Sequence, residues 1–175
     1  MGVQLSTTEY AVLGVLSSGP NHGFALAKLL EADTDVGRIF KVHRPLVYRA
    51  LDRLVEAGYV MPITLEKGNA GPQRLVHRIT SRGHRVLEQW LAEPVAHVRD
   101  MRIEFLLKLV LLGRSGQSTL ALIRAQRDAL APTVESLAGS STDDPIELWR
   151  QNNAAAAGDY LDTLERLYTT PQHTR

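Results

Sequence analysis

The chain has 175 residues, 44% hydrophobic and 22% charged, with a net charge of +1, a balance that fits a folded soluble protein and excludes wholesale disorder. It has no cysteine, which excludes disulfides, thiolate metal sites and cysteine nucleophiles and fits a reducing cytoplasm. The charge is uneven: residues 1–92 carry 11 Lys/Arg against 8 Asp/Glu, residues 93–175 carry 9 against 11, and nine basic residues face three acidic ones over 38–82, the local excess expected of a nucleic-acid binder.

The first helix is predicted to start at a Ser6 or Thr7 cap, to carry the apolar positions Val12, Leu13, Val15 and Leu16 after Tyr10, and to end at Gly19-Pro20. Asn21-His22-Gly23 reads as a tight turn, and a second helix follows over 24–32 with Leu26, Leu29 and Leu30 apolar. Residues 33–42 are polar and read as a connection. Pro45 suits the first turn of a third helix, whose buried face is expected to hold Leu46, Val47, Ala50, Leu51 and Leu54 before Gly58 stops it. Two strands over 59–65 and 74–79 flank the turn residues Glu66-Lys67-Gly68-Asn69-Ala70-Gly71-Pro72. Thr80 or Ser81 then caps a fourth helix through Val86, Leu87, Trp90 and Leu91.

Beyond Pro94 everything reads as helix. The run 103–112 is apolar nearly all round and should be buried on more than one side; interrupted by Lys108, it falls far short of the ~20 residues that span a bilayer. The N-terminus lacks a basic stretch leading into an apolar run, so no signal peptide is predicted and a cytoplasmic location is expected. An amphipathic stretch carries Leu120, Ile123, Leu130, Val134 and Leu137, with Pro132 expected to kink or interrupt it. After a polar break over 139–144, a last helix over 145–168 places Ile146, Trp149, Asn153, Ala156, Tyr160 and Leu167 at alternating steps of three and four. Thr163 fills the missing step, with Leu164 beside it. Such a seam is coiled-coil-like and points to a homodimer, with Asn153 fixing the register.

The predicted fold is therefore mainly α: a winged helix-turn-helix domain over 1–92 and an all-helical dimerisation domain over 93–175. Its chemistry requires a helix that enters the major groove and cations beside the phosphate backbone. The third helix supplies Arg44, Leu46, Tyr48, Arg49 and Arg53 as candidate contacts, and the hairpin supplies Lys67, Asn69 and Arg74. Arg53 also has Glu56 and Asp52 as possible partners on its own helix.

The sequence resembles the PadR family of bacterial transcription regulators. Tyr10-Ala-Val-Leu-Gly-Val-Leu16 is similar to that family's opening helix, and Pro20-Asn-His-Gly-Phe24 resembles its Pro-x-His-Gly-Tyr turn. Leu46-Val-Tyr-Arg-Ala-Leu-Asp-Arg-Leu54, followed by Gly58, resembles its recognition helix. Gly71-Pro-Gln-Arg74 and Arg78-Ile-Thr-Ser-Arg-Gly83 resemble its wing, and Arg102-Ile-Glu-Phe-Leu-Leu-Lys108 the start of its longer C-terminal domain. The family often has Ser or Thr just before the recognition helix and Pro after the Tyr; here Pro45-Leu46 and Arg49 occupy those places. The resemblance implies operator binding, repression, a turn completed by His22, and response to phenolic acids or hydrophobic drugs. Trp90 and Trp149 are candidate surfaces for such an aromatic effector.

Enzyme patterns are missing. His22, His43, His77, His84, His97 and His173 are dispersed, with no pair at the spacing of a helical metal site. Gly68-Asn69-Ala70-Gly71 lacks the Lys-Ser/Thr of a phosphate loop, and Ser17-Ser18-Gly19 lacks the flanks of a nucleophile elbow. No cofactor or metal is expected. The rival to operator binding is a winged helix used only for protein–protein contact.

Overall fold

The computed structural model describes residues 4–68, 71–138 and 142–169. It is mainly helical, with a winged helix followed by helices alone. Helix α1, Thr7–Ser17, starts at Ser6, whose side chain and backbone exchange hydrogen bonds with Glu9 in a capping box. Ala11, Val12, Leu13, Val15 and Leu16 are all buried, so α1 runs through the middle of the fold. A Cβ on Gly14 would stand 2.4 Å from Leu111 Cδ1, and the missing side chain lets a later helix lie directly on α1.

The residues expected as a tight turn are a short strand, β1, Asn21–His22, which pairs antiparallel with β3. Helix α2 is Gly23–Leu29, capped by His22. The connection to α3 is a chain of turns that buries Val36 and Val42. Helix α3, Arg44–Glu56, buries Val47, Ala50, Leu51 and Leu54 against α1 and α2. Leu46 departs from the expected buried face and is 43% exposed: the covered stripe is the one at 47, 50, 51 and 54, and Leu46 falls about 100° away from Val47 on the cylinder. Gly58 ends the helix with φ +73, a left-handed position that glycine adopts without strain.

Strands β2, Val60–Gly68, and β3, Gly71–Ile79, form the hairpin, and the sheet order is β1-β3-β2. Pro62 is tolerated because β2 is an edge strand, and the register shifts between Pro62 and Thr64. Helix α4, Ser81–Ala92, is capped by Thr80.

A 3-10 turn, Val98–Asp100, and a π-helical stretch, Met101–Phe105, lead into α5, Leu106–Arg114. As its composition predicts, α5 is buried around much of its girth, through Leu107, Leu109, Leu111 and Leu112. Lys108 is buried with them, its ammonium 2.9 Å from Glu104, 2.7 Å from the Glu93 carbonyl and over the ring of Trp90. Helix α6, Leu120–Leu137, continues through Pro132 without the interruption the proline predicts. Helix α7, Pro145–Thr169, runs antiparallel along α6: Glu165 pairs with Arg124 and Arg127, and Gly158 faces Val134. One apolar core spans α1 to α7. No helix among the described residues is long and apolar enough to cross a membrane.

Candidate nucleic-acid interface

The exposed side of α3 carries Arg44, Leu46, Tyr48, Arg49 and Arg53. They divide into two groups. On one flank, the Arg44 guanidinium lies 4.8 Å from the centroid of Phe24 and 5.8 Å from that of Tyr48. Arg74, from β3, lies 5.4 Å from the same Phe24 ring, and Lys28 of α2 lies 5.7 Å from it. Cations from three elements therefore gather on one aromatic side chain, held by its negative π-face. Phe24 closes the Pro20-Asn-His-Gly-Phe24 motif, but neither it nor Lys28 is marked in the sequence as part of a cation cluster, because Arg44 and Arg74 are far away along the chain.

On the other flank, Leu46, Arg49 and Arg53 line a cavity of about 180 Å³ against Ser6, Thr8 and Glu9. Arg53 does not pair within its own helix. Its Nε lies 3.2 Å from Glu9 Oε1, a carboxylate almost wholly buried at the start of α1. The two oxygens of Glu9 divide their work, since Oε2 accepts from the Ser6 N–H and hydroxyl. Arg53 is thus tied to α1 while about half its surface still faces solvent. Arg49 is exposed. Asn69 lies outside the described residues, as does the side chain of Lys67.

His77, in the centre of the sheet, is buried, and its Nδ1 has no hydrogen-bond partner among the described residues. Burial pushes its basicity below the ordinary histidine range, against smaller opposing effects of Leu75 and Asp52.

Residues 12–89 match the model of the transcriptional regulator PadR-like family. The winged helix belongs to that family. Its PadR-like segment takes in α2, α3 and both wing strands, and with them every candidate DNA contact named above. Over residues 12–89 the chain accordingly resembles a PadR-like transcriptional regulator. Among solved structures, it is similar to Bacillus subtilis PadR in complex with operator DNA, at 18% identity over 90% of this chain and 97% of that one, with a TM-score of 0.48. The same regulator in complex with p-coumaric acid is similar at 17% identity, over 94% and 100% of the two chains, with a TM-score of 0.46. A Streptococcus mutans protein is similar at 14% identity, over 91% and 95%, with a TM-score of 0.44. No curated protein sequence matches the chain.

Outside the PadR-like segment, the two tryptophans differ. Trp90 is 6% exposed: Tyr10 stacks on it at 4.3 Å, Lys108 lies over it, and its Nε1–H donates to Glu104. Its aromatic surface is already covered, which corrects the expectation of a ligand face there. Trp149 is 70% exposed and lines a cavity of about 450 Å³ together with His97, Arg99 and Arg102.

The expected seam on α7 also divides. Ile146, Trp149, Tyr160 and Leu167 are exposed, and so is Ala156. Helix α7 packs on its own chain through another face, formed by Ala154, Ala157 and Leu161. Leu164 belongs with that inner face, half-buried against the core. Asn153 donates its amide to the Trp149 carbonyl on its own helix.

Proposed function

We propose that this PadR-like regulator is a repressor that binds a pseudo-palindromic operator as a homodimer, with residues 1–92 as the reading unit and 93–175 as the dimerisation unit. The convergence of Arg44 and Arg74 on Phe24 carries the reading. It joins the start of α3 to the wing, so a duplex that takes α3 into its major groove meets cations from both. Arg49 and Tyr48 present the exposed side of α3 to base edges, Leu46 offers an apolar contact, and Lys67 and Asn69, by their place in the sequence, are the wing's candidates for backbone contact. Arg53 both braces α1 and faces the duplex.

One winged helix covers a short half-site, and a symmetric pair is the usual way to lengthen it. The exposed row of Ile146, Trp149, Tyr160 and Leu167 supports that assembly, because the same chain's α6 leaves it uncovered. A small aromatic or phenolic effector is proposed for the cavity beside Trp149, where the indole offers a stacking surface and Arg99 and Arg102 offer charge. Such a ligand releases DNA only if it binds the non-binding arrangement more tightly.

Footprinting on the promoter of the protein's own gene tests the reading. Two protected half-sites related by a dyad are expected, with protection lost on adding the effector. Protection of a single half-site would remove the dimer, and an unprotected promoter would remove operator binding there.

A further inference from the structure

We propose that His22 and Arg74 form a two-donor clamp for a single backbone phosphate of DNA, with Lys28 and Arg44 supplying the surrounding charge. The proposal rests on the DNA-binding reading and assigns one contact within it. Its starting point is a pair of nitrogens that face each other without a proton acceptor between them. Arg74 Nη1 lies 3.4 Å from His22 Nε2. On the other side of the ring, His22 Nδ1 accepts the backbone N–H of Ala25 at 3.1 Å, capping α2. A ring nitrogen that accepts carries no hydrogen, so the imidazole hydrogen sits on Nε2. A guanidinium has donors only. Nε2–H and Nη1–H are therefore two donors side by side, and neither satisfies the other. The opposite tautomer would let Nε2 accept from Arg74, but it would set a ring N–H against the Ala25 N–H across the shorter contact.

The missing component is an acceptor, and the surroundings specify its charge. The Phe24 ring holds Lys28, Arg44 and Arg74 within 5.7 Å of its centroid. Cations so close together repel, and an anion placed among them removes that repulsion. A phosphodiester oxygen accepts charge-assisted hydrogen bonds at about 2.7–2.9 Å, and one such oxygen can bridge two donors 3.4 Å apart. The clamp draws on α2 and its cap His22, on β3 and on the start of α3, so it exists only in the assembled winged helix. It also borders the exposed end of α3, where a backbone strand passes when that helix enters the groove.

The test uses the full-length protein and a duplex from its own promoter, with affinity measured across a range of salt concentrations. His22→Asn is the informative variant, because asparagine keeps an oxygen to cap α2 but loses the Nε2–H donor. It is expected to bind about tenfold more weakly, as loss of a hydrogen bond to a charged group implies. Arg74→Gln is expected to lower the slope of log affinity against log salt by about 0.9, one phosphate's worth. The double variant should lose less than the product of the two single losses, since both donors serve one phosphate. Nitrogen-15 spectra of the unmodified protein should show hydrogen on Nε2 and none on Nδ1, with the Nε2 signal moving on addition of duplex.

Parental affinity and slope in His22→Asn would overturn the clamp, as would hydrogen found on Nδ1. Movement of the Nε2 signal with inorganic phosphate, combined with parental duplex binding in both variants, would assign the donors to free anions and also overturn it. Failure of the unmodified protein to bind any duplex would instead overturn the underlying reading, and that is seen without any variant.

Discussion

Arg53 on the exposed side of α3 and Glu9 at the start of α1 form an ion pair at 3.2 Å that locks the two helices together. Glu9 is almost wholly buried, so removing its cation leaves a carboxylate short of a partner. Arg53→Ala should lower the unfolding free energy by about 1–3 kcal/mol, toward the lower end because the arginine is half exposed and solvent screens the pair. Urea denaturation reads the effect; an unchanged midpoint would mean the pair contributes nothing. DNA affinity of this variant is to be compared only where both proteins remain folded.

Arg49 separates reading from bracing. It is exposed, and it sits four residues before Arg53 on the same side of α3. Arg49→Ala should leave stability within about 0.5 kcal/mol and weaken binding to the operator by about 1–3 kcal/mol if the contact is bidentate to a base. Lys67→Ala should weaken operator and random duplex alike and flatten the salt slope. Equal losses on both duplexes for Arg49→Ala would reassign that residue to the backbone.

The row on α7 makes a prediction about assembly. Trp149 and Leu167 are 70% and 57% exposed, so replacing both with alanine removes little from the chain's own core. The double variant should sediment with a weakened dimer while its helical content is kept. An undiminished dimer would place the interface elsewhere.

What the sequence made legible was local. Ser6 and Thr80 cap their helices as expected, and Gly58 stops α3 where its missing side chain permits φ +73. The features not legible depend on contacts between distant segments. Strand β1 is only two residues long and exists because Asn21 and His22 pair with His77 and Val76. Lys108 is buried in an apolar helix because Glu104, the Glu93 carbonyl and Trp90 meet its ammonium there. The inner face of α7 is built on Ala154 and Ala157, small residues that carry a weaker hydrophobic signal than the larger side chains of the seam beside them. The cluster on Phe24 is assembled from positions 28, 44 and 74, and no spacing rule joins them.

His77 predicts a pH dependence for the wing. Burial holds its basicity below the ordinary value of 6.5, so the unfolded chain takes up a proton at a pH where the folded chain still resists it. The corresponding stability is complete above about pH 6.5 and is lost as the pH falls below that value. His77→Leu should therefore gain stability relative to the parent on moving from pH 7.5 to pH 5.5, both measured by denaturant unfolding. A parent–variant difference that is the same at the two pH values would contradict the shift.

The central claim is that the cationic side of the winged helix binds duplex DNA through its phosphates. The most direct measurement is the affinity of the purified protein for duplex from its own promoter, and for a scrambled duplex, at 50 mM and 200 mM salt. About 6–10 phosphate contacts would lower affinity by roughly 10³–10⁵ over that interval, with the promoter favoured at both concentrations. Binding to neither duplex, or an affinity indifferent to salt, would contradict the claim and favour a winged helix that serves protein–protein contact.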